Sequence, residues 1–557
     1  MGGGIVVNGE SVVNPGPRKP VTGLTHAWSV DHPAVAATVE RVLASGGNAF
    51  DAGIAGALTE CAVSPHLTCL AGAITALLYD ATRGEYVQLE ATGTMPADLR
   101  PFVPPIGKAV ASIPGTIAGL QALHERFASM PWSALCQDAI DWAERGHVVS
   151  SFEYGVLVEY QHVVASSPAG RALFRPGGLP VVVGDRLRNP ELAKTLQALA
   201  TEGPAHMLTG AWAKAFVRQA QAAGWRITLA DVGSTAADWL VPLTFEHRGR
   251  RIVALAPPQI SGVVSALTLG ILAELEVERA GFLSAEHLFD LTHTLRYAIQ
   301  QGIFIGDSRV ADYDVPALLD RTLHRHAARL LRGLRPKIDL TRHTALRGGS
   351  GEQPIGFTNA IGEPTPHPHG YTPRSGSCEM SIVDRHGNWL QLMTTCAAGG
   401  IPGMVIGGVP MHGSAYAFSA LQPIFHAKLV PGIRPRSVAA HTMIAGATQP
   451  QMALGTPGAP FIVMPQVLSN MLDFGLDPQA AIDAPRCSVM DEQESFVAED
   501  RISSETVAGL AARGVKMRAM AGFEWHTGSV QACWRDGDGL AATTDPRRTG
   551  VAGGARA

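Results

Sequence analysis

Residues 377–395 read SCEMSIV, then DRHGN, then WLQLMTT. Two β-patterned runs flank a turn of the Asp, Gly and Asn type, so the segment is expected to form a hairpin. How this hairpin is entered decides the fold. Ser377, a hydroxyl residue, opens the first strand directly after residues 345–376, which are rich in Gly, Pro, Thr and Ser and have no periodicity. A run of that length inside a compact chain is uncommon and is usually functional or disordered, so it reads as a long loop or mobile segment. His367 and His369 lie in it at H-x-H spacing. With no further ligands beside them they read as solvated loop residues, and no metal site is expected.

A strand-opening hydroxyl behind a flexible glycine-bearing loop is what an N-terminal nucleophile enzyme requires. Attack by the Ser377 hydroxyl on the Gly376–Ser377 bond would free an α-amine beside that same hydroxyl. An amine of pKa about 8 can then act as general base for its own side chain. Alone, a serine in this setting is more often a turn former. Cys378 competes as nucleophile only if the register slips by one.

Around this segment the chain has 557 residues, of which 46% are hydrophobic and 17% charged, enough to bury a large core. A formal net charge of -4 supplies no basic stripe for nucleic acid, and no apolar run is long enough for a membrane span. A small-molecule substrate is therefore the expected partner. The seven cysteines are widely spaced with no C-x-x-C pair, which suits buried thiols rather than zinc or redox chemistry. The N-terminal stretch lacks the layout of a secretory signal, so a cytoplasmic protein is expected.

Residues 33–44 carry apolar side chains at helical spacing and stop at Gly46-Gly47, and a second helix is expected from Asn48. GGNAFDA at 46–52 reads as the tight turn between two packed helices. Helices are also predicted over 114–128 and 286–301, with short β-branched runs at Val181–Val183 and Ile252–Ala254. The class is mixed α/β. GTPGAP at 455–460 precedes a helical run, so the backbone N–H groups of Gly458 and Ala459 would lie at a helix N-terminus, where they favour an anion. The same residues also read as an ordinary turn before a buried helix.

These motifs, in this order, resemble the γ-glutamyltranspeptidase family of N-terminal nucleophile hydrolases over most of the chain. GGNAFDA looks like the family's GGNAVDA, and IPGTIAGL at 113–120 looks like its VPGTVAGL. Pro257, Pro258, Ser261 and Gly262 resemble PPxSSG, and GTPGAP resembles GSPGGS. GLDPQAAIDAPR at 475–486 and Asp545-Pro546-Arg547-Arg548 resemble later landmarks. SIVDRHGN at 381–388 looks like SVVDxxGN, and that register puts Ser377 on the catalytic threonine. The resemblance implies a four-layer αββα sandwich built from residues 1–376 and 377–557, which stay associated as a heterodimer after self-cleavage. It implies no cofactor, a catalytic role for Thr395 beside the nucleophile, and an oxyanion site at Gly458 and Ala459.

The family's polar clamp for a γ-glutamyl group is largely lost. Its arginine falls near Thr92, its asparagine on Ala397, its aspartate on Ala417 and its second serine on Val438, leaving only Ser437. A zwitterion without those partners would pay several kcal/mol for desolvated charge. The expected activity is hydrolysis of an amide with a non-γ-glutamyl acyl group, through an acyl-enzyme on Ser377. Acyl transfer to an amine, glutathione hydrolysis and an unprocessed non-catalytic relative stay open. Arg434 and Arg436, beside Ser437, are read as side chains able to restore carboxylate binding.

Overall fold

The computed structural model describes residues 5–7, 16–98, 112–302, 305–309, 313–333, 377–396, 400–401, 403–411, 430–434, 437–489, 496–515 and 517–556. The segment 345–376, with Gly376, His367 and His369, lies outside them, as do Ala397, Ala417 and Arg436. The described strands of the principal sheet system are β1 (Ile5–Val7), β2 (Val21–Val30), β3 (Ala73–Asp80), β4 (Glu85–Ala91), β5 (Asp238–Leu240), β6 (Leu243–His247) and β7 (Arg250–Ala254), followed by β8 (Ser377–Val383), β9 (Trp389–Thr395), β10 (Thr442–Ala445), β11 (Pro450–Gly455), β12 (Gln531–Asp536), β13 (Gly539–Thr544) and β14 (Val551–Arg556). Hydrogen bonding runs in the order β5-β4-β3-β9-β8-β2-β13-β12-β11-β10-β7-β6, with β14 on β2 and β1 on β14.

Strand β2 is the corner between two sheets. Its later residues pair with both β8 and β14, while Val21 and Leu24 pair with β13. On the outer face of the first sheet lie α1 (Pro33–Ala44) and α2 (Ala49–Val63), followed by α3 (Thr116–Phe127). On the second sheet lie α4 (Ser261–Leu275) and α6 (Pro460–Leu472), with α5 (Ala285–Gly302) packed beyond them on α4. Between the sheets, Leu77, Val383, Trp389, Met443, Ala453, Cys533 and Ala542 form a separate apolar core. These layers make the four-layer αββα sandwich expected from the resemblance.

The hairpin expected at 377–395 forms with those boundaries, Ser377 facing Thr395 in the antiparallel register. Helix α1 spans the 33–44 expected for it. Asn48 caps α2 through a capping box with Asp51, whose carboxylate also takes the N–H groups of Ser129 and Met130. GGNAFDA is thus a packed helix-to-helix turn. All seven cysteines are free and buried. One expected strand is absent: Val181–Val183 is loop, with Val182 and Val183 exposed and in no strand ladder among the described residues. Among the described residues no helix is long and apolar enough to cross a membrane.

Candidate active site

Strand β8 has two unlike faces. Met380 and Ile382 enter the core under α1 and α2, whereas Glu379 and Ser381 point toward the second sheet and are fully buried there. Buried polar groups need partners, and Glu379 has several. Its Oε1 accepts from Gln391 Nε2 at 2.5 Å and lies 2.9 Å from His441 Nδ1. His441 Nε2 in turn meets Thr75 Oγ1 at 3.0 Å. The Ser377 end of the inter-sheet space is thus polar, and the Val383 end apolar.

Ser377 itself is half-buried. Its carbonyl accepts from Arg548 Nη1 at 3.4 Å, and Arg548 Nε donates to Trp525 O at 3.2 Å. The Arg548 guanidinium lies 5.2 Å from the Phe152 ring centre, and burial lowers its pKa against the pull of Asp31. One residue further along, Cys378 is buried against Leu67 and Val156, and burial pushes its thiol well above the usual range. A neutral, buried thiol is a poor nucleophile, so the slipped register has no support.

Strand β11 delivers the candidate oxyanion element to the same end. An added Cβ on Gly455 would lie 2.2 Å from Glu379 Oε1, so β11 and β8 touch here. Beyond Gly455 the chain turns through Thr456-Pro457-Gly458-Ala459 into α6, with Ala459 O accepting from Ile462 and Val463. The N–H groups of Gly458 and Ala459 have no acceptor among the described residues. Both residues are half-buried and so open toward the surface of the site. Ala459 sits at φ 42, ψ 39, a left-handed conformation that costs a non-glycine residue roughly 1–2 kcal/mol. Ala459→Gly removes that strain and keeps the donor, so kcat is expected to stay within about threefold of wild type, because the donor acts through the backbone. A fall of about 10²-fold in steady-state assays would instead make the methyl group part of the site.

Of the positions that the resemblance assigns to the γ-glutamyl clamp, the described ones have partners within the protein. Thr92 is buried, its hydroxyl donating to Glu90 Oε1 at 2.5 Å. Ser437 is tied through its backbone to Pro258 and Ile260, and Val438 O accepts from Ser261 Oγ at 2.7 Å. These residues cluster because Gln259 bridges Glu90 and Ala439 N. Arg434 corrects the expectation made for it. It is buried and donates to Asp238, Thr92 O and Ala236 O, so its guanidinium is spent inside the protein rather than offered to a substrate carboxylate.

Asp31 was not apparent from the sequence. It follows β2, is buried, and its Oδ2 accepts from Glu379 N at 2.6 Å. Its Oδ1 accepts from Ser529 Oγ at 2.9 Å and Gln531 Nε2 at 2.8 Å. The available signal was an acidic residue between a strand end and a helix start in SVDHP.

The sequence profile of the gamma-glutamyltranspeptidase family matches residues 35–555. The acylase ACY 1 proenzyme of Pseudomonas sp. (strain V22) is similar at 26% identity over 570 residues, covering 96% of each chain. The glutathione hydrolase proenzyme of Pseudomonas aeruginosa is 26% identical over 565 residues, covering 94% of this chain and 95% of that protein. The crystal structure of cephalosporin acylase from Bacillus halodurans shares the fold at a TM-score of 0.79 and 22% identity, covering 97% and 98%.

Proposed function

The chain belongs to the gamma-glutamyltranspeptidase family, and from that premise we propose that it is a self-cleaving acylase whose nucleophile is Ser377 and whose acyl group is not γ-glutamyl. Membership makes it an enzyme of the amidohydrolase and acylase kind. The observation that supports the finer reading is that a strand-opening serine on β8 and two backbone donors just beyond β11, with no acceptor among the described residues, are carried by strands that touch at Glu379 and Gly455.

In self-cleavage, Ser377 Oγ attacks the Gly376 carbonyl, its proton passes to the departing amide nitrogen, and an ester replaces the peptide bond. Water then hydrolyses the ester, leaving the Gly376 carboxylate and a free α-amine on Ser377. In turnover that amine takes the hydroxyl proton as Oγ attacks the substrate amide. The N–H groups of Gly458 and Ala459 receive the oxyanion, a contribution of about 10² to 10³ in rate per donor. Collapse expels the amine with a proton from the ammonium, and water releases the acid by the same steps.

The two fragments would remain together, because the β8–β9 hairpin of 377–557 is hydrogen-bonded between β2 and β3 of 1–376. Separating them would break ladders on both sides. Thr92 and Val438 leave an amino-acid zwitterion without charged partners at those positions, and Arg434 is occupied. The absence costs several kcal/mol. A neutral acyl p-nitroanilide is therefore expected to show kcat/KM about 10²-fold or more above that of γ-glutamyl-p-nitroanilide. A preference for the γ-glutamyl compound in that assay would sink the acyl-group reading.

A further inference from the structure

We infer that Asp31 is a positioning residue for self-cleavage, holding residues 377–379 at the start of β8 in place for the attack by the Ser377 hydroxyl. The inference rests on the self-cleaving reading above. Asp31 lies in the part of the chain before the cleavage point, whereas Glu379, Ser529, Gln531 and Arg548 lie after it. Its carboxylate is thus one point where one future fragment grips the nucleophile strand of the other, close to Ser377.

The grip is specific. Oδ2 holds the N–H of Glu379, two residues from Ser377, at 2.6 Å. Arg548, which attracts Asp31 electrostatically, holds the Ser377 carbonyl. Thr549 Oγ1 donates to Asp31 O at 2.7 Å and keeps the 545–549 segment in place. Residues 377–379 are thereby held at both ends by groups outside their own strand. An attacking atom misplaced by about 1 Å can cost about 10²-fold in rate.

Burial raises the Asp31 pKa to about 7; Arg548 and the hydrogen bonds from Glu379 N–H and Ser529 oppose the rise, and the Glu379 carboxylate adds a smaller push upward. The charged and titratable groups around it are Arg548, Glu379, Cys378 and Glu60, the last a carboxyl whose own pKa burial pushes well above the usual range. Protonation of Asp31 removes the charge facing Arg548 and weakens the charge-assisted bond to Glu379 N–H. Self-cleavage should then rise as pH passes through about 7. No α-amine exists at Ser377 before cleavage, so this limb cannot come from the amine.

The test follows newly translated full-length chain on denaturing gels across a pH series, for wild type, Asp31→Asn and Ser529→Ala. The expected result is about 10²-fold slower cleavage for Asp31→Asn, with the rise near pH 7 flattened. Ser529→Ala strips one hydrogen bond from the same buried carboxylate but leaves the Glu379 contact, and should cleave within a few-fold of wild type. Wild-type rate and pH profile in Asp31→Asn would overturn the inference. So would an equal slowing by Ser529→Ala, or an Asp31→Asn chain with no cooperative melt, either of which would make Asp31 a general structural staple. Wild-type chain that never yields a fragment beginning at Ser377 would instead remove the self-cleaving reading itself.

Discussion

Ser377→Ala is expected to leave one uncut chain of 557 residues and 58.6 kDa, with amide turnover lower by about 10⁴-fold or more. One substitution abolishes both because one oxygen serves both steps: without Oγ there is no ester at Gly376, and without cleavage there is no α-amine to act as base. The fold should survive. Ser377 is half-buried at a strand end, its carbonyl rather than its side chain accepts from Arg548, and its strand pairing is made by the backbone. Ser377→Thr keeps the hydroxyl and adds only a methyl that restricts χ1, so it should still cleave. The measurement is a denaturing gel with N-terminal sequencing of the smaller band, together with turnover of an acyl p-nitroanilide. Two fragments from Ser377→Ala, with the smaller one beginning at residue 377, would remove this residue from the chemistry.

Local signals carried much of this architecture. The 377–395 hairpin, α1 and the turn into α6 were legible because periodicity, a turn composition and a proline or glycine at the helix ends agreed with one another. Val181–Val183 shows the limit of such a signal, since a β-branched run becomes a strand only where a partner strand lies alongside. What lay beyond the sequence was use rather than position. Glu379 and Ser381 alternate with apolar neighbours, which read alone suits a strand with one wet face. The structure buries that face against a second sheet and sets Gln391 and His441 beside Glu379 Oε1. Asp31 reaches Glu379 only because β2 pairs with β8 across a sequence separation of 348 residues. Arg434 stands three residues before Ser437 in sequence, yet its guanidinium turns to Asp238, a partner no spacing rule identifies.

Gly72→Ala is expected to cost about 1–3 kcal/mol of stability and about 10²-fold in both self-cleavage and turnover. A Cβ at Gly72 would lie 1.9 Å from Thr395 O and 2.9 Å from Thr395 C. Both are backbone atoms, so no side-chain rotation can make room. Gly72 cannot retreat freely either, because its carbonyl accepts from Gly115 N at 2.8 Å and Thr116 N at 3.2 Å at the start of α3. The strain must therefore move the end of β9, where Thr395 stands opposite Ser377 in the hairpin register. Gly84→Ala provides the contrast. Gly84 lies past the far end of β3 at φ +67, with only Tyr79 Oη near the added Cβ at 3.9 Å, so the change costs roughly 1–2 kcal/mol of backbone strain. Stability should fall in both variants, by denaturant midpoint, but cleavage and turnover should fall only in Gly72→Ala. If both variants kept wild-type rates, the Thr395 backbone would not be a constraint on the nucleophile, and the close approach at Gly72 would be a matter of packing alone.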